Sequence, residues 1–349
     1  MNLNWDTNPT YRKGCAIIRT LDTHTAGEPL RIVIDGMPAL SGATILERRR
    51  FMQQHYDHLR KMLMWEPRGH YNMYGCILTP PVSPEADLGV LFMHNEGYST
   101  MCGHGTIGLV TALIETGALP SKGKYTPVNL DTPAGLVRAT AHLDEQQHVE
   151  SVSFLNVPSF LYARNAQIDV PLYGPLTVDI AYGGAFYVIV PSSAMQLNVQ
   201  PSSVEQLVQA GEAIKRAVNA QIPVNHPLEP DISFVYGTIF TDHPEDPSHH
   251  SRNVCIFADG EVDRSPTGTG VSARLALHYA KDEIAFEQAI TIESILGASS
   301  VFRGRIIEQA KVGSFDAIVP EVSGSAFITG RHEFILDPHD KVGGGFLMQ

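Results

Sequence analysis

The chain is poor in cysteine and tryptophan, with four and two among 349 residues. Cys15, Cys76, Cys102 and Cys255 include no C-x-x-C pair, and no histidine stands near them at zinc-ligand spacing. Neither a disulfide framework nor a structural zinc site is therefore expected. Long apolar runs are missing too; none approaches the ~20 residues of a membrane span. There is no excess of basic residues: 25 Lys and Arg stand against 37 Asp and Glu, a net charge of −12. That balance argues against a nucleic-acid surface, which would be basic. Met1 to Arg19 lacks a basic start followed by an apolar segment, so no secretory leader is expected. What remains is an acidic, globular, soluble protein of the reducing cytosol. Its hydrophobic fraction of 43% and its length are enough for two domains with real cores.

Against this plain background two stretches repeat one another. The first is Met101-Cys102-Gly103-His104-Gly105-Thr106-Ile107-Gly108; the second is Pro266-Thr267-Gly268-Thr269-Gly270-Val271-Ser272-Ala273. In each, a nucleophilic type of side chain precedes a glycine-rich turn that opens an apolar helical pattern. Such a turn presents unpaired N–H groups at a helix N-terminus, where an anion is favoured. A thiol there is expected to have a lowered pKa. The pair predicts one anionic substrate held between two helix N-termini. A cysteine approaches it from one side, and a threonine stands where a second cysteine would fit.

A weaker repeat links Gly27 to Ile34 with Gly184 to Val190, each a small turn running into a β-branched strand pattern. Together the repeats predict an α/β protein of the α+β kind, built from two similar halves with the active site in the cleft between them. The halves are placed at 1–160 and 161–336, with the tail 337–349 packing back on the first. Helices are expected at Ala43–Trp65, Thr106–Glu115, Val204–Asn219 and Val271–Ala280. Strands are expected at Arg31–Ile34, Tyr74–Leu78, Gly89–His94, Gly135–Leu143, Val149–Leu155, Tyr187–Val190, Phe234–Phe240, Val254–Phe257, Ala289–Glu293, Val301–Glu308 and Ala326–Leu336. Asp242–Arg252, rich in His, Pro and Asp, reads as an exposed loop. Its His243, His249 and His250 are explained by solvation, so no metal is expected.

Each candidate residue has a plain reading beside the chemical one. Gly103 to Gly108 matches G-x-G-x-x-G, and Asp131 lies where a ribose-binding acid would. However, the fingerprint should follow a strand directly, and Asn95–Met101 intervenes. Cys15, Cys76 and Cys255 read as buried packing thiols. Cys102 is either a small turn residue or a reactive thiol. Thr267 is a natural N-cap or a group facing the substrate. His104, inside the turn, is a partner of substrate or thiolate. Asp263 is an Asx-turn acid or a substrate contact.

Asp22-Thr23-His24-Thr25-Ala26-Gly27-Glu28-Pro29, Met101-Cys102-Gly103-His104 and Asp263-Arg264-Ser265-Pro266-Thr267-Gly268-Thr269-Gly270 resemble the proline racemase family, over essentially the whole chain. The resemblance implies a diaminopimelate-epimerase-like fold and no cofactor. Family racemases and hydroxyproline epimerases carry cysteine at both device positions. Here Cys102 is kept and Thr267 replaces the second, which resembles the branch that dehydrates trans-3-hydroxy-L-proline, a hydro-lyase activity. By the same resemblance Cys102 and Thr267 are the catalytic positions. Gly103, His104, Asp263, Gly268 and Thr269 bind the substrate. The other readings are a proline racemase or 4-hydroxyproline epimerase with an atypical second position, and a non-catalytic imino-acid binder. The expected partners are an imino acid and, at most, a second copy of the chain.

Overall fold

A computed structural model describes residues 14–228 and 230–348. Residues 1–13 of the leader reading and residue 349 of the tail lie outside the described residues. The first half runs β1 (Ala16–Thr25), β2 (Glu28–Asp35), α1 (Ile45–His55), α2 (Asp57–Met64), β3 (Tyr74–Thr79), β4 (Leu88–His94), β5 (Tyr98–Ser99), α3 (Gly103–Glu115), β6 (Tyr125–Thr132), β7 (Gly135–Leu143) and β8 (Val149–Leu155). After β9 (Ser159–Val170) the same order returns. It reads β10 (Gly174–Tyr182), β11 (Phe186–Pro191), α4 (Val204–Gln221), β12 (Val235–Asp242), β13 (Ser251–Phe257), β14 (Glu261–Val262), α5 (Gly268–Ala280), β15 (Ile290–Ser294), β16 (Gly297–Val312) and β17 (Phe315–Gly324). β18 (Ala326–Leu336) ends the series.

The pairings repeat as the order does. β2–β3 and β11–β12 are parallel, with α1–α2 and α4 in the connections. β4–β6 and β13–β15 are parallel, with α3 and α5 in theirs. The turns before β2 and β11 are those at Gly27 and Gly184, both at positive φ, where a missing Cβ removes the steric penalty.

The last strands are exchanged between halves. β9 pairs with β10, from Gly174 opposite Val170 to Tyr182 opposite Phe160. β18 pairs with β1, from Ala16 opposite Leu336 to Thr25 opposite Ala326. Residues 326–336, grouped by sequence with the second half, thus ladder with the first. The tail follows them there: Phe346 N–H donates to the Glu66 carbonyl (2.9 Å), and Arg68 Nη1 to that of Gly343 (2.8 Å).

Several elements differ from the sequence reading. The long helix expected at 43–65 breaks at Tyr56, whose φ of −133° and ψ of 16° are not helical. Its start is fixed by a capping box, in which Thr44 Oγ1 accepts from Glu47 N–H and the Glu47 carboxylate accepts from Thr44 N–H. Strands β1, β6, β9, β10 and β17 were not expected. Thr, Asp and His crowd β1, while Pro127, Asn165, Pro175 and Pro320 interrupt the others. Their ladders outweigh poor strand propensity.

α3 is buried on every side from Gly103 to Ile114, as an all-round apolar helix must be. α5 is nearly as enclosed. One core joins the halves: Ile107, Leu109 and Val110 of α3 share it with Phe154, Val271, Leu275, Phe302 and Ile318. Among the described residues no helix is long and apolar enough to cross a membrane.

The two buried helices meet head to head. A Cβ built on Gly103 would lie 2.9 Å from Gly268 Cα and 3.0 Å from Phe154 Cζ; one on Gly268 would lie 3.0 Å from Gly103 Cα and 3.1 Å from the same ring atom. Only hydrogen fits between the two N-termini. Alanine in place of helical glycine normally stabilises by about 0.5–1 kcal/mol. Here the sign should reverse. Gly103→Ala and Gly268→Ala are each expected to destabilise by about 1–3 kcal/mol through overpacking. Urea unfolding midpoints check this, and an unchanged or raised midpoint would contradict the contact.

Candidate active site

Cys102 is the N-cap of α3, in extended backbone, and its Sγ accepts from Gly105 N–H at 3.3 Å. Thr267 occupies the matching place on α5 but behaves differently. Its φ is +65° and its side chain makes no cap, an unusual state for a β-branched residue. Thr267 Oγ1 donates instead to Asp263 Oδ2 (2.8 Å). Asp263 Oδ1 accepts from Ser265 N–H (2.8 Å), and Ser265 Oγ from Thr267 N–H (3.1 Å). This web holds the strained loop. Thr267 is thus the N-cap of α5 by position only: its carbonyl accepts from Val271 N–H (2.7 Å), but its side chain caps no N–H.

The first-turn N–H groups of Gly103, His104, Gly268 and Thr269 have no intrahelical acceptor. The α3 cap serves Gly105, and α5 has no side-chain cap. These are the residues read from sequence as substrate-binding, and the Gly103–Gly268 contact brings both sets to one place. Two opposed helix N-termini suit an anion.

His104 is fixed from the first half. Its carbonyl accepts from Thr25 Oγ1 (2.9 Å), its ring hydrogen-bonds the Pro29 carbonyl, and Nδ1 lies 3.2 Å from Cys102 Sγ. Burial lowers its pKa to about 4, against the pull of Asp263, so the imidazole is neutral at physiological pH. The Asp22–Pro29 stretch thereby supports the site. Asp22 pairs with buried Arg31 at 2.9 Å. Glu28 Oε2 accepts from Arg264 N–H at 2.8 Å, tying the loop of the other half. Burial, with Asp263 nearby, raises the Glu28 carboxyl well above its ordinary range.

The thiol does not follow the helix-terminus expectation. Burial pushes the Cys102 pKa up, and the negative charges of Asp263 and Glu28 push the same way. The Gly105 N–H and the Tyr74 hydroxyl oppose this and do not outweigh it. The sequence carried the helix N-terminus but not the desolvation.

Four contributors were missed: Glu28, Tyr74, Tyr187 and Tyr236. Tyr74 bonds the thiol, shares a short hydrogen bond with Ser99 and meets the His104 ring edge-on at 4.7 Å. The Tyr187 hydroxyl shares a 2.7 Å hydrogen bond with Thr269 Oγ1. A third repeat would have flagged two of them: Tyr74-Gly75-Cys76-Ile77 and Tyr236-Gly237-Thr238-Ile239 stand at the starts of the matching strands β3 and β12, the second one residue in. Cys76 is buried, and so is Cys255, whose thiol meets the Thr267 hydroxyl.

The other glycine reading loses its acid. Asp131 Oδ2 accepts from Val82 and Ser83 N–H at 2.6 and 2.7 Å, so it holds a loop. Among the described residues no group of three His, Cys, Asp or Glu side chains could hold a metal ion. His249 pairs with Glu293 at 2.9 Å, and His250 with Ser251 Oγ at 2.9 Å.

In the free protein, Cys102 alkylation by iodoacetamide should keep rising with pH beyond the ordinary thiol range of about 8.5. Asp263→Asn should move that profile to lower pH by removing a like charge, and Tyr74→Phe to higher pH by removing a donor. A plateau below pH 7 in the wild type would contradict the burial argument.

The proline racemase family model matches residues 20–347. A Bacillus cereus protein named trans-3-hydroxy-L-proline dehydratase is 48% identical over 332 residues, covering 95% of this chain and 98% of that one. A Burkholderia multivorans protein named 3-hydroxyproline 2-epimerase is 46% identical over the same length and the same shares. The crystal structure of a hydroxyproline epimerase from Agrobacterium vitis, with bound trans-4-hydroxy-L-proline, superposes with a TM-score of 0.85 at 33% identity, covering 95% of this chain and 96% of that one. With both glycine devices meeting over Phe154 and the match spanning nearly its whole length, the chain belongs to the proline racemase family.

Proposed function

We propose that the protein dehydrates trans-3-hydroxy-L-proline to Δ1-pyrroline-2-carboxylate without a cofactor, with Cys102 as the base. The observation that carries this reading is the asymmetry of the two devices. Cys102 presents a thiol; Thr267 presents a hydroxyl already bonded to Asp263. A threonine hydroxyl is no base at neutral pH without an activator, and a carboxylate is too weak a base to activate it. Racemisation and epimerisation at Cα need a base on each face, so this site suits a reaction that needs one.

The substrate carboxylate sits at the opposed N-termini, on the N–H groups of Gly103, His104, Gly268 and Thr269. Its ring ammonium pairs with Asp263. That pairing offsets the negative charge that opposes thiolate formation, so substrate and active base arrive together. In trans-3-hydroxy-L-proline the Cα hydrogen and the C3 hydroxyl lie on the same ring face, both opposite the carboxylate. The Cys102 thiolate removes the Cα proton, and the N–H groups stabilise the charge that develops on the carboxylate. The electron pair forms the Cα–C3 double bond as the C3–O bond breaks. The new thiol returns its proton to the departing hydroxyl, giving water and regenerating the thiolate. The enamine then tautomerises to the imine.

The relatives' names support both readings, a trans-3-hydroxy-L-proline dehydratase on one side and a 3-hydroxyproline 2-epimerase and a hydroxyproline epimerase on the other; the asymmetry of the two devices favours dehydration. The epimerase reading requires a second base at or beside Thr267.

The direct test incubates the protein with trans-3-hydroxy-L-proline and traps the imine with o-aminobenzaldehyde. Colour should form with wild type in the absence of added metal or nucleotide, and chelator should not abolish it. Cys102→Ser should lose at least about 10²–10⁴-fold in kcat, the general-base contribution, with far-UV circular dichroism unchanged. Wild-type turnover in that variant would remove Cys102 as base. Thr267→Cys should gain detectable epimerisation of the substrate while losing less dehydration than Cys102→Ser. Chiral chromatography reads the gain; a folded, substrate-binding variant with none would show that position 267 does not face Cα.

A further inference from the structure

One buried carboxylate beside the site has no role in the mechanism above. Glu261, in β14, is 3% exposed, and its Oε1 is buried without a hydrogen-bond partner. Facing it across the two halves, 3.5 Å away, is Nδ1 of His94, itself buried. That nitrogen already accepts from Glu96 N–H at 3.3 Å. Two acceptors therefore face one another in a dry place, and a donor is missing between them. Buried polar atoms in native proteins rarely lack a partner, and an exception points to a ligand or an ion.

The place of the orphan is as informative as its chemistry. The His94 ring stacks on Tyr74 with centroids 5.7 Å apart, and Tyr74 bonds the Cys102 thiol. Across the cleft, burial raises the Tyr236 hydroxyl well above its ordinary range, and Glu261, Cys255, Cys102 and Asp263 lie near enough to push the same way. Glu261 thus reaches from the second half to the first, and the His94 and Tyr74 rings lead from it to the Cys102 thiol.

We propose that Glu261, set by His94, is the specificity residue that recognises the ring hydroxyl of the substrate. This rests on the dehydratase reading. The 3-hydroxyl shares a ring face with the Cα hydrogen, and so points to the Cys102 side. It donates to Glu261 Oε1, which leaves its lone pairs free to receive the proton from the thiol. Proline, lacking the hydroxyl, leaves the buried acceptor unpaired. A site built to bond a hydroxyl rejects the analogue without one far more strongly than an apolar pocket does.

The test measures ligand preference without turnover. In a Cys102→Ser background, calorimetry gives Kd for trans-3-hydroxy-L-proline and for L-proline, with and without a change at 261. Glu261→Ala should weaken the hydroxylated ligand about ten-fold to hundred-fold, as for a lost hydrogen bond to a charged group, and L-proline much less. Glu261→Gln keeps an acceptor oxygen and the side-chain volume. It should retain part of the preference, and any loss should again fall on the hydroxylated ligand. Equal weakening of both ligands in the two variants, or no weakening in either, overturns the proposal. The two readings fail separately. A wild-type protein that does not dehydrate the substrate sinks the dehydratase reading. Wild-type dehydration with an unaltered ligand preference in both variants sinks only the role of Glu261.

Discussion

The structure depends on one contact, between the backbones of Gly103 and Gly268 over the ring of Phe154. It brings two helix N-termini to a single point, and with them the unpaired N–H groups that suit a carboxylate. It also explains why α3 and α5 are buried nearly all round. Each is packed on nearly all sides before its first glycine meets the other's. The exchanged strands β9 and β18 and the ladder of β8 with β17 then keep the halves from separating. A site made by two N-termini is only as good as their separation, and these links fix it.

Electrostatics sets the second constraint. Helix N-termini favour the thiolate, yet burial and two acids, Glu28 and Asp263, oppose it and win in the free protein. Neither acid is incidental. Glu28 carries the Arg264 backbone of the opposite half, and Asp263 holds the Thr267 hydroxyl. In the proposed reaction the incoming ammonium group would meet Asp263 as an opposite charge and change the balance. A thiolate formed only when substrate binds would be protected from alkylation and oxidation while the site is empty, since the thiolate is the reactive form.

Much of this was legible in the sequence because the molecule repeats itself. The two glycine turns and the Gly27 and Gly184 turns gave the doubled order, and Cys102, His104, Asp263 and Thr267 do gather at one place. Three things were not legible. The strand exchange depends on which edge is free in the folded halves, and no local signal in Ala326–Leu336 distinguishes its partner. The rise in the thiol's pKa depends on burial and on acids that are remote in sequence. The difference between Cys102 and Thr267 lies in backbone: one extended and capping, the other at φ +65° with its hydroxyl turned to Asp263. Tyr74 and Tyr236 were legible, through the Tyr-Gly-x-Ile repeat, and were overlooked because each stands near the start of an otherwise ordinary strand.

The central claim is that one base works on one face of the substrate. Hydrogen exchange at Cα in deuterated water tests it directly, using L-proline and D-proline, which offer the Cα hydrogen to opposite faces and have no leaving group. The account predicts deuterium in recovered L-proline, none in D-proline, and no interconversion. Comparable exchange from both enantiomers would reveal a second base and contradict it, and exchange from neither would remove the thiol as the base.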